Sequence, residues 1–297
     1  MSHTLIVGAG YTGDRGAQRL RDADHKVTLA SRTPPAIPGT TPIVIDVDSP
    51  ETAELHRRLT EPVDHLIYLV PPDRTAPGAA DSDARLQRVL DGLEKTPNRV
   101  VLASTTGVYG NHAGGEVTEH TPVNPRTARA IARVGAERTL ERYATNRGLK
   151  HLTVLRIAGI YGPDRLMLDG LTEGRALLKE SDTGPGNRIH VDDLALAFVL
   201  AVEHGTEHRY INVADGNPLN STAFALAVAR LAGLPEPPLV DRDTAQQTFS
   251  SMRLSFLNES RRIVPNRLLE LLGERMRYRD PIDGARASLA DMGRLKS

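Results

Sequence analysis

The chain begins with a short apolar segment that leads directly into Val7-Gly8-Ala9-Gly10-Tyr11-Thr12-Gly13. This G-x-G-x-x-G pattern lies between a predicted strand and a predicted helix, and that context makes the match specific. Gly8 permits a tight turn, Gly10 lets a pyrophosphate approach the backbone, and Gly13 lets the helix pack on the strand. The loop predicts a dinucleotide-binding turn that includes the two residues between the second and third glycines. A glycine-rich turn without a ligand is the alternative.

Short apolar runs rich in β-branched residues recur between amphipathic stretches, as expected for parallel strands that helices cover on both faces. The best candidate strands are residues 4–7, 26–30, 42–47, 65–70, 99–103 and 151–157. Alternation of this kind favours right-handed βαβ units. The sequence therefore predicts an α/β fold, a doubly wound parallel Rossmann sheet with a smaller, mainly helical C-terminal portion that faces the substrate.

The same patterns predict the domain organisation. Residues 126–147 read as a long helix, and Asp192 and Asp193 are suited to cap a helix that continues to about His204. A strand is expected near residues 210–213. We predict a dinucleotide-binding domain over residues 1–162, to which residues 188–216 return, and a smaller substrate-facing portion over residues 163–297.

Composition excludes several classes of function. The 297 residues carry 37 basic and 37 acidic side chains, so the chain offers no strong field for nucleic acid or an anionic membrane. There is no cysteine, which removes disulfides and thiolate chemistry and suits a reducing compartment. No apolar run approaches the length of a membrane span, and the N-terminus lacks the features of a signal peptide. We expect a cytoplasmic protein with a small-molecule substrate.

The end of the second strand bears on the choice of cofactor. An acid at this place hydrogen-bonds the ribose of NAD, but this chain has Ser31-Arg32-Thr33 there. Arg32 can pair with a 2′-phosphate, which favours NADP over NAD. Most of the 37 basic side chains are arginine, so a chance occurrence stays open. Asp46 at the end of the third strand can reach the adenine edge, but a helix-capping role for Asp46 or Asp48 is equally consistent.

Three further segments carry a family resemblance. They are Ser104-Thr105-Thr106-Gly107-Val108-Tyr109-Gly110, Arg156-Ile157-Ala158-Gly159-Ile160-Tyr161-Gly162-Pro163 and Arg188-Ile189-His190-Val191-Asp192-Asp193-Leu194. With the glycine loop, they resemble the extended short-chain dehydrogenase/reductase superfamily, which includes nucleotide-sugar epimerases and dehydratases. The resemblance implies an NAD(P)-binding oxidoreductase or epimerase-like enzyme that acts on a small polar carbonyl or alcohol, or on a nucleotide-sugar-like substrate. It also implies a possible homodimer formed through two helices.

The chain departs from this superfamily at the catalytic Tyr-x-x-x-Lys pair. The expected positions on the helix 126–147 hold Arg129 and Arg133, and none of the seven tyrosines is followed four residues later by lysine. In the family, the tyrosine transfers a proton and the lysine holds the ribose. Arg133 is suited to hold a ribose, but a guanidinium does not replace the phenol as an acid or base. A cofactor-binding sensor or regulatory protein without catalysis is therefore the alternative function.

The resemblance assigns the remaining candidate residues. Thr105 matches a substrate-orienting hydroxyl, although a local hydrogen bond to the backbone would explain it equally well. Tyr109 is a candidate proton donor, with a structural role as the alternative. The residues expected along the cofactor at the ends of the fourth, fifth and sixth strands are Val70, Pro71, Ser104, Ile157 and Gly159. No metal site is predicted, since His204 and His208 have no third ligand nearby in the sequence.

Overall fold

The computed structural model describes residues 1–296. Within them, seven parallel strands form the central sheet: β1 (His3–Val7), β2 (Lys26–Ser31), β3 (Thr41–Val44), β4 (His65–Tyr68), β5 (Arg99–Thr105), β6 (His151–Ile157) and β7 (Tyr210–Val213). Their spatial order is β7-β6-β5-β4-β1-β2-β3. The order reverses direction between β1 and β4, the point at which open α/β sheets form a ligand crevice.

Helices cover both faces of this sheet, and further helices form the C-terminal portion of the chain. The α-helices are α1 (Gly13–Asp22), α2 (Ala84–Asp91), α3 (Ala128–Arg147), α4 (Leu168–Thr172), α5 (Val191–Glu203), α6 (Ser221–Leu231), α7 (Arg242–Thr248), α8 (Ser251–Leu257), α9 (Asn266–Leu272) and α10 (Pro281–Asp291). Short 3₁₀ helices span Pro50–Arg58, Thr106–Tyr109, Glu180–Asp182 and Gly273–Arg275. Short strands pair outside the sheet: Gly159–Tyr161 with Arg188–His190, Leu177–Leu178 with Leu239–Val240, and Glu116–Val117 with Arg262–Ile263.

Alternation along the strands builds two hydrophobic cores, one on each face of the sheet. In β1, Leu5 and Val7 join the core beneath α2 and α3, whereas Ile6 joins the core beneath α1 and α5. A third cluster lies in the C-terminal portion, where Tyr161 and Phe224 pack with α6 and α10. The predicted doubly wound α/β fold with a mainly helical C-terminal portion is confirmed. The domain boundary between residues 162 and 163 stays a prediction.

Element boundaries differ from the predictions by a few residues. The third strand ends at Val44 rather than residue 47, and the fourth ends at Tyr68 rather than residue 70. The fifth continues to Thr105, and the long helix begins at Ala128 because Thr127 caps it. The ends of β1, β4 and β5 are brought to one edge by the parallel register, in which Val7 lies opposite Tyr68.

The prediction that Asp192 and Asp193 cap α5 is wrong. His190 is the cap, because its Nδ1 accepts a hydrogen bond from the Asp192 N–H at 3.2 Å. Burial lowers the pKa of His190 to about 4, so the ring stays neutral and can accept. The buried Asp193 carboxylate instead accepts the backbone N–H groups of Arg277 and Tyr278, each at 2.9 Å. It therefore fastens the C-terminal portion to α5.

Among the described helices, none has the length and apolar character required to span a bilayer.

Candidate functional site

A cavity of about 660 Å³ opens at the carboxyl edge of the central sheet. It is lined by the segments that follow β1 to β6, as the topology requires. Fourteen of the predicted site residues line it: Gly8, Gly10, Tyr11, Thr12, Gly13, Ser31, Arg32, Asp46, Val70, Pro71, Ser104, Thr105, Arg133 and Ile157. The fold therefore brings together residues that the sequence spreads over 150 positions, although their individual roles stay predictions.

The geometry of the glycine loop suits a phosphate-bearing ligand. Gly8 and Gly10 adopt φ angles of +116° and +142°, a region that favours glycine. A Cβ on Gly13 would lie 2.2 Å from the carbonyl oxygen of Gly8, so helix and strand could not pack this closely with a larger residue. A Cβ on Gly10 would meet nothing within 4 Å, which leaves open space over the backbone. This space and the first N–H groups of α1 fit a diphosphate.

One backbone donor of the loop is already engaged. The Gly10 N–H donates to the Asp14 carboxylate at 3.0 Å, while the Asp14 N–H donates to the Gly10 carbonyl at 2.9 Å. A carboxylate in the first turn of a helix is stabilised by the helix dipole. The N–H groups of residues 11–13 are therefore the donors that the loop would offer to an anion.

The end of β2 presents an unpaired cation to the cavity. Arg32 is exposed and forms no hydrogen bond or ion pair with any residue in the described part of the chain. The Ser31 hydroxyl is engaged locally, since it donates to the carbonyl oxygen of Thr33. A guanidinium free of protein partners at this place is what a 2′-phosphate would require.

The two aspartates after β3 do not cap the following helix, so that alternative is corrected. Ser49 caps it, with its Oγ accepting from the Glu51 N–H at 3.3 Å. Asp48 instead forms a two-point ion pair with Arg85, at 2.6 and 2.8 Å. Asp46 accepts the Asp48 N–H at 3.1 Å and remains exposed at the cavity. Contact of Asp46 with an adenine edge stays a prediction.

Arg133 joins two strand ends at the opposite end of the cavity. Its Nη1 donates to the carbonyl oxygen of Ala103 at 2.7 Å and to that of Val70 at 3.4 Å. Burial lowers the pKa of Arg133, and the nearby Asp83 carboxylate counteracts this. Guanidinium nevertheless remains protonated near neutral pH. Arg133 is thus a cation fixed to the backbone of β5 and of the segment after β4.

Thr105 combines a local hydrogen bond with a half-buried position at the cavity. Its Oγ1 accepts the Gly107 N–H at 3.2 Å, which is the local hydrogen bond that the sequence left open. The side chain also lines the cavity. Because a hydroxyl can accept and donate at once, the Thr105 hydrogen remains available to a ligand oxygen.

Two predicted site residues lie away from the cavity. Tyr109 is fully buried, donates to Asn212 Oδ1 at 2.7 Å and accepts from Arg156 Nη1 at 3.1 Å. Burial raises the pKa of Tyr109, despite the opposing charge of Arg156. A phenol with both positions occupied inside the core does not reach a substrate, so the prediction of a proton donor is corrected to a structural role. Gly159 is exposed and donates to the Asn187 carbonyl at 3.2 Å; it does not line the cavity.

A buried ion pair lies directly beneath this end of the cavity. Glu137 on α3 binds Arg156 on β6 through contacts of 2.8 and 3.2 Å, and it accepts the Ser104 hydroxyl. Burial works against the charge of Arg156, but the hydrogen bonds and charge of Glu137 hold its pKa above the ordinary value. The network ends at Tyr109 and Asn212. It ties α3 to β5, β6 and β7.

Two arginines of the cavity were missed by the sequence analysis. Arg85 is the second residue of α2, and Arg165 follows β6 in the segment after Tyr161-Gly162-Pro163. Arginine is frequent in this chain, and no sequence motif distinguishes Arg85 or Arg165 from solvent-exposed arginines. Proximity to the Tyr-Gly-Pro segment was the one available signal for Arg165.

Two solved structures of more than 25% identity resemble this chain over nearly its whole length. A protein of unknown function from Silicibacter pomeroyi is 29% identical, with a TM-score of 0.79 over 98% of this chain and 99% of that chain. A structure described as a putative NAD-dependent epimerase/dehydratase from Methylobacillus flagellatus is 26% identical, with a TM-score of 0.75 over 98% and 99% of the two chains.

More distant structures share the fold. The human epimerase family protein SDR39U1 (isoform 2), solved with NADPH, is 18% identical and has a TM-score of 0.72 over 97% of this chain and 99% of that chain. No curated protein matches the sequence. The family model described as NAD dependent epimerase/dehydratase matches residues 4–214, which include the glycine loop and all seven sheet strands except the first residue of β1. The chain belongs to the NAD-dependent epimerase/dehydratase family.

Proposed function

We propose that this chain is an NADP-preferring, epimerase-like oxidoreductase that acts on a small polar carbonyl or alcohol, or on a nucleotide-sugar-like substrate. One observation carries the proposal. A glycine loop with open space over Gly10 faces the same cavity as the unpaired Arg32 at the end of β2. The first feature fits a diphosphate and the second fits a 2′-phosphate.

The chain's own residues then have defined tasks. The N–H groups of residues 11–13 bind the diphosphate, and Arg32 pairs with the 2′-phosphate. When bound, a nicotinamide dinucleotide supplies the hydride donor or acceptor of the reaction. Thr105 orients the substrate by donating its hydroxyl hydrogen to a carbonyl or alcohol oxygen, while the Gly107 N–H fixes the Thr105 oxygen. Arg133 holds the ribose next to the end of β5.

The proton that accompanies hydride transfer has no obvious protein donor at this cavity within residues 1–296. Among the described residues that line the cavity, Tyr11 is the only tyrosine, and histidine and lysine do not occur. The Tyr11 hydroxyl donates to the Pro163 carbonyl oxygen at 2.7 Å. Burial raises the pKa of Tyr11, although Arg15 and Arg165 oppose this. We therefore assign proton exchange to water or to the substrate itself, with Thr105 orienting the reacting oxygen.

Calorimetric titration with NADPH, NADP, NADH and NAD tests the cofactor. We expect NADPH and NADP to bind more tightly than NADH and NAD. We expect Arg32→Ala to lower this preference, the ratio of the dissociation constants, by roughly tenfold or more, as for the loss of a charged hydrogen bond. Arg230→Ala is the matched control, because Arg230 is exposed on α6 and pairs with Glu236. Failure of all four dinucleotides to bind would contradict the proposal.

A turnover screen separates the enzyme from the sensor that the sequence left as the alternative. NADPH consumption is measured with carbonyl substrates, and dinucleotide-dependent epimerisation is measured with nucleotide sugars. We expect Thr105→Val to lower kcat while the NADPH Kd is unchanged, and Thr105→Ser to retain activity. Binding without turnover of any substrate, combined with NADPH-dependent capture of a protein partner, would favour the sensor. The arginines at positions 129 and 133 are the observation that supports that second function.

A further inference from the structure

The segment after β6 reaches back over the glycine loop. The Tyr11 hydroxyl donates to the Pro163 carbonyl oxygen at 2.7 Å, which joins two parts of the chain 152 residues apart. Arg165, two residues further along, places its guanidinium carbon 4.0 Å from the centroid of the Tyr11 ring. Arg165 also lines the dinucleotide cavity. A side chain from beyond the sheet's sixth strand is thus held at the loop on which the proposed diphosphate rests.

The four arginines of the cavity differ in whether the protein already satisfies them. Arg85 is paired with Asp48 through two contacts, and Arg133 is held by two backbone carbonyl oxygens. Arg32 and Arg165 form no hydrogen bond or ion pair with any residue between positions 1 and 296. The two guanidinium groups free to bind an anion therefore lie on two different segments, one after β2 and one after β6.

Four charged side chains act on Tyr11, namely Arg15, Arg165, Asp164 and Asp192, and of these four only Arg165 lines the cavity. Arg15 also lies over the Tyr11 ring, at 4.5 Å, but it donates to the Tyr11 carbonyl at 2.7 Å and pairs with Asp192 at 3.4 Å. Its charge is therefore compensated. Among the described residues, Arg165 contacts only the Tyr11 ring in this way, and a cation–π contact orients a guanidinium without neutralising it. Its fork of donors remains available for a phosphate.

We propose that Arg165 is a ligand of the cofactor's diphosphate, positioned by the Tyr11 ring, so that the anion is held between the N–H groups of residues 11–13 and a cation from beyond β6. This inference rests on the proposed function, because it names a further residue of the same site. It assigns the two free cations to different parts of one ligand. Arg32 recognises the 2′-phosphate, which only NADP(H) carries, and Arg165 recognises the diphosphate, which NADP(H) and NAD(H) share.

Three probes distinguish these assignments in calorimetric titrations of the full chain: NADPH, NADH and adenosine 2′-monophosphate. Arg165→Ala is expected to weaken NADPH and NADH by the same factor, roughly tenfold for an exposed charged hydrogen bond, and to leave adenosine 2′-monophosphate unchanged. Arg32→Ala is expected to weaken NADPH and adenosine 2′-monophosphate and to spare NADH. Arg165→Lys keeps the charge and should recover part of the affinity. Arg230→Ala is the control for loss of a surface cation.

Each outcome decides the inference. Wild-type affinity of Arg165→Ala for both dinucleotides would overturn it while leaving the proposed function intact. An equal loss for all three probes would also overturn it, because Arg165 would then act as part of a general positive field. If the wild-type chain binds none of the probes, the proposed function fails and this inference fails with it. Because Arg165 is exposed and its side chain has no hydrogen-bonded partner in the part of the chain that the structure describes, an unchanged Tm is expected for the variant.

Discussion

The two ends of the cavity differ in how closely their residues match the family's motifs. At the glycine-loop end, Gly8, Gly10 and Gly13 have the conformations and spacing that suit a dinucleotide. At the α3 end, Arg129 and Arg133 stand where the resemblance predicts the tyrosine and lysine of the Tyr-x-x-x-Lys pair. The resemblance to short-chain dehydrogenases/reductases assigns cofactor binding to the β1–α1 turn and proton transfer to α3. The residues at the α3 end can therefore differ from the family pattern while the glycine loop keeps it.

The α3 end remains highly organised despite this change. Glu137 lies one helical turn after Arg133 and forms a buried ion pair with Arg156, with Ser104 attached. Both charged side chains are about 95% buried, so their attraction is little screened by solvent. This end of the cavity is therefore built for rigidity.

Glu137→Ala should destabilise the protein most. Removing one partner leaves the Arg156 guanidinium buried and unpaired, and such losses cost about 3–5 kcal/mol of unfolding free energy. Denaturant unfolding measures the change. The control is Arg138→Ala on the same helix, which breaks a surface pair with Asp81 and should cost under about 1 kcal/mol. Equal effects for the two variants would show that the buried pair does not stabilise α3.

Two glycines of α1 provide a matched test of the loop. Gly13→Ala places a Cβ 2.2 Å from the Gly8 carbonyl oxygen, and we expect a loss of about 1–3 kcal/mol in stability together with weaker NADPH binding. Gly16→Ala meets nothing within 4 Å and should stabilise the helix by about 0.5–1 kcal/mol. Circular dichroism melts and NADPH titration measure both. NADPH binding by Gly13→Ala at wild-type affinity would argue against the loop as the diphosphate site.

Asp215, just after β7, is a buried acid that lacks, within the described part of the chain, an ion pair of the kind that Glu137 forms with Arg156. Burial raises the pKa of Asp215 to about 7, with the Asn217 hydrogen bond and Arg188 opposing the shift. Its Oδ2 has no partner among the described residues. Because the folded pKa lies above the unfolded value, the carboxyl's contribution to stability is present at low pH and is lost as pH rises towards 7.

Asp215→Asn should remove this pH dependence while keeping an oxygen for the Asn217 N–H. Relative to the wild type, we expect the variant to gain about 1–2 kcal/mol in unfolding free energy between pH 5 and pH 8. Denaturant unfolding at the two pH values measures the gain. Parallel pH profiles for the two proteins would show that Asp215 ionises as readily in the folded chain as in the unfolded one.

Arg133→Lys should have the smallest effect. Lysine keeps the positive charge but lacks the guanidinium group, which contacts the carbonyl oxygens of Ala103 and Val70. We expect the NADPH Kd to change by no more than about threefold, which corresponds to under about 1 kcal/mol. A loss of more than tenfold would mean that the α3 end contributes to cofactor binding as strongly as the glycine loop does.

The sequence predicted what local patterns determine. The glycine loop, the six strand segments and the long helix before β6 follow from turn chemistry and from the period of apolar residues. Distant partners were not predictable in this way. The hydroxyl of the buried Tyr109 donates a hydrogen bond to Asn212, 103 residues later in the chain. The Asp193 carboxylate accepts a backbone hydrogen bond from Arg277, 84 residues away. Arg165 was missed for the same reason, since its place beside Tyr11 depends on the fold.

A crystal structure of the NADPH complex would examine both ends of the cavity at once. We expect the diphosphate within hydrogen-bond distance of the N–H groups of residues 11–13, the 2′-phosphate at Arg32, and the nicotinamide between Val70 and Ile157. We also expect no tyrosine hydroxyl within about 3.2 Å of a substrate oxygen placed at Thr105. NADPH bound outside this cavity would contradict the proposed dinucleotide site, and a phenol in reach of that oxygen would contradict proton exchange without a tyrosine.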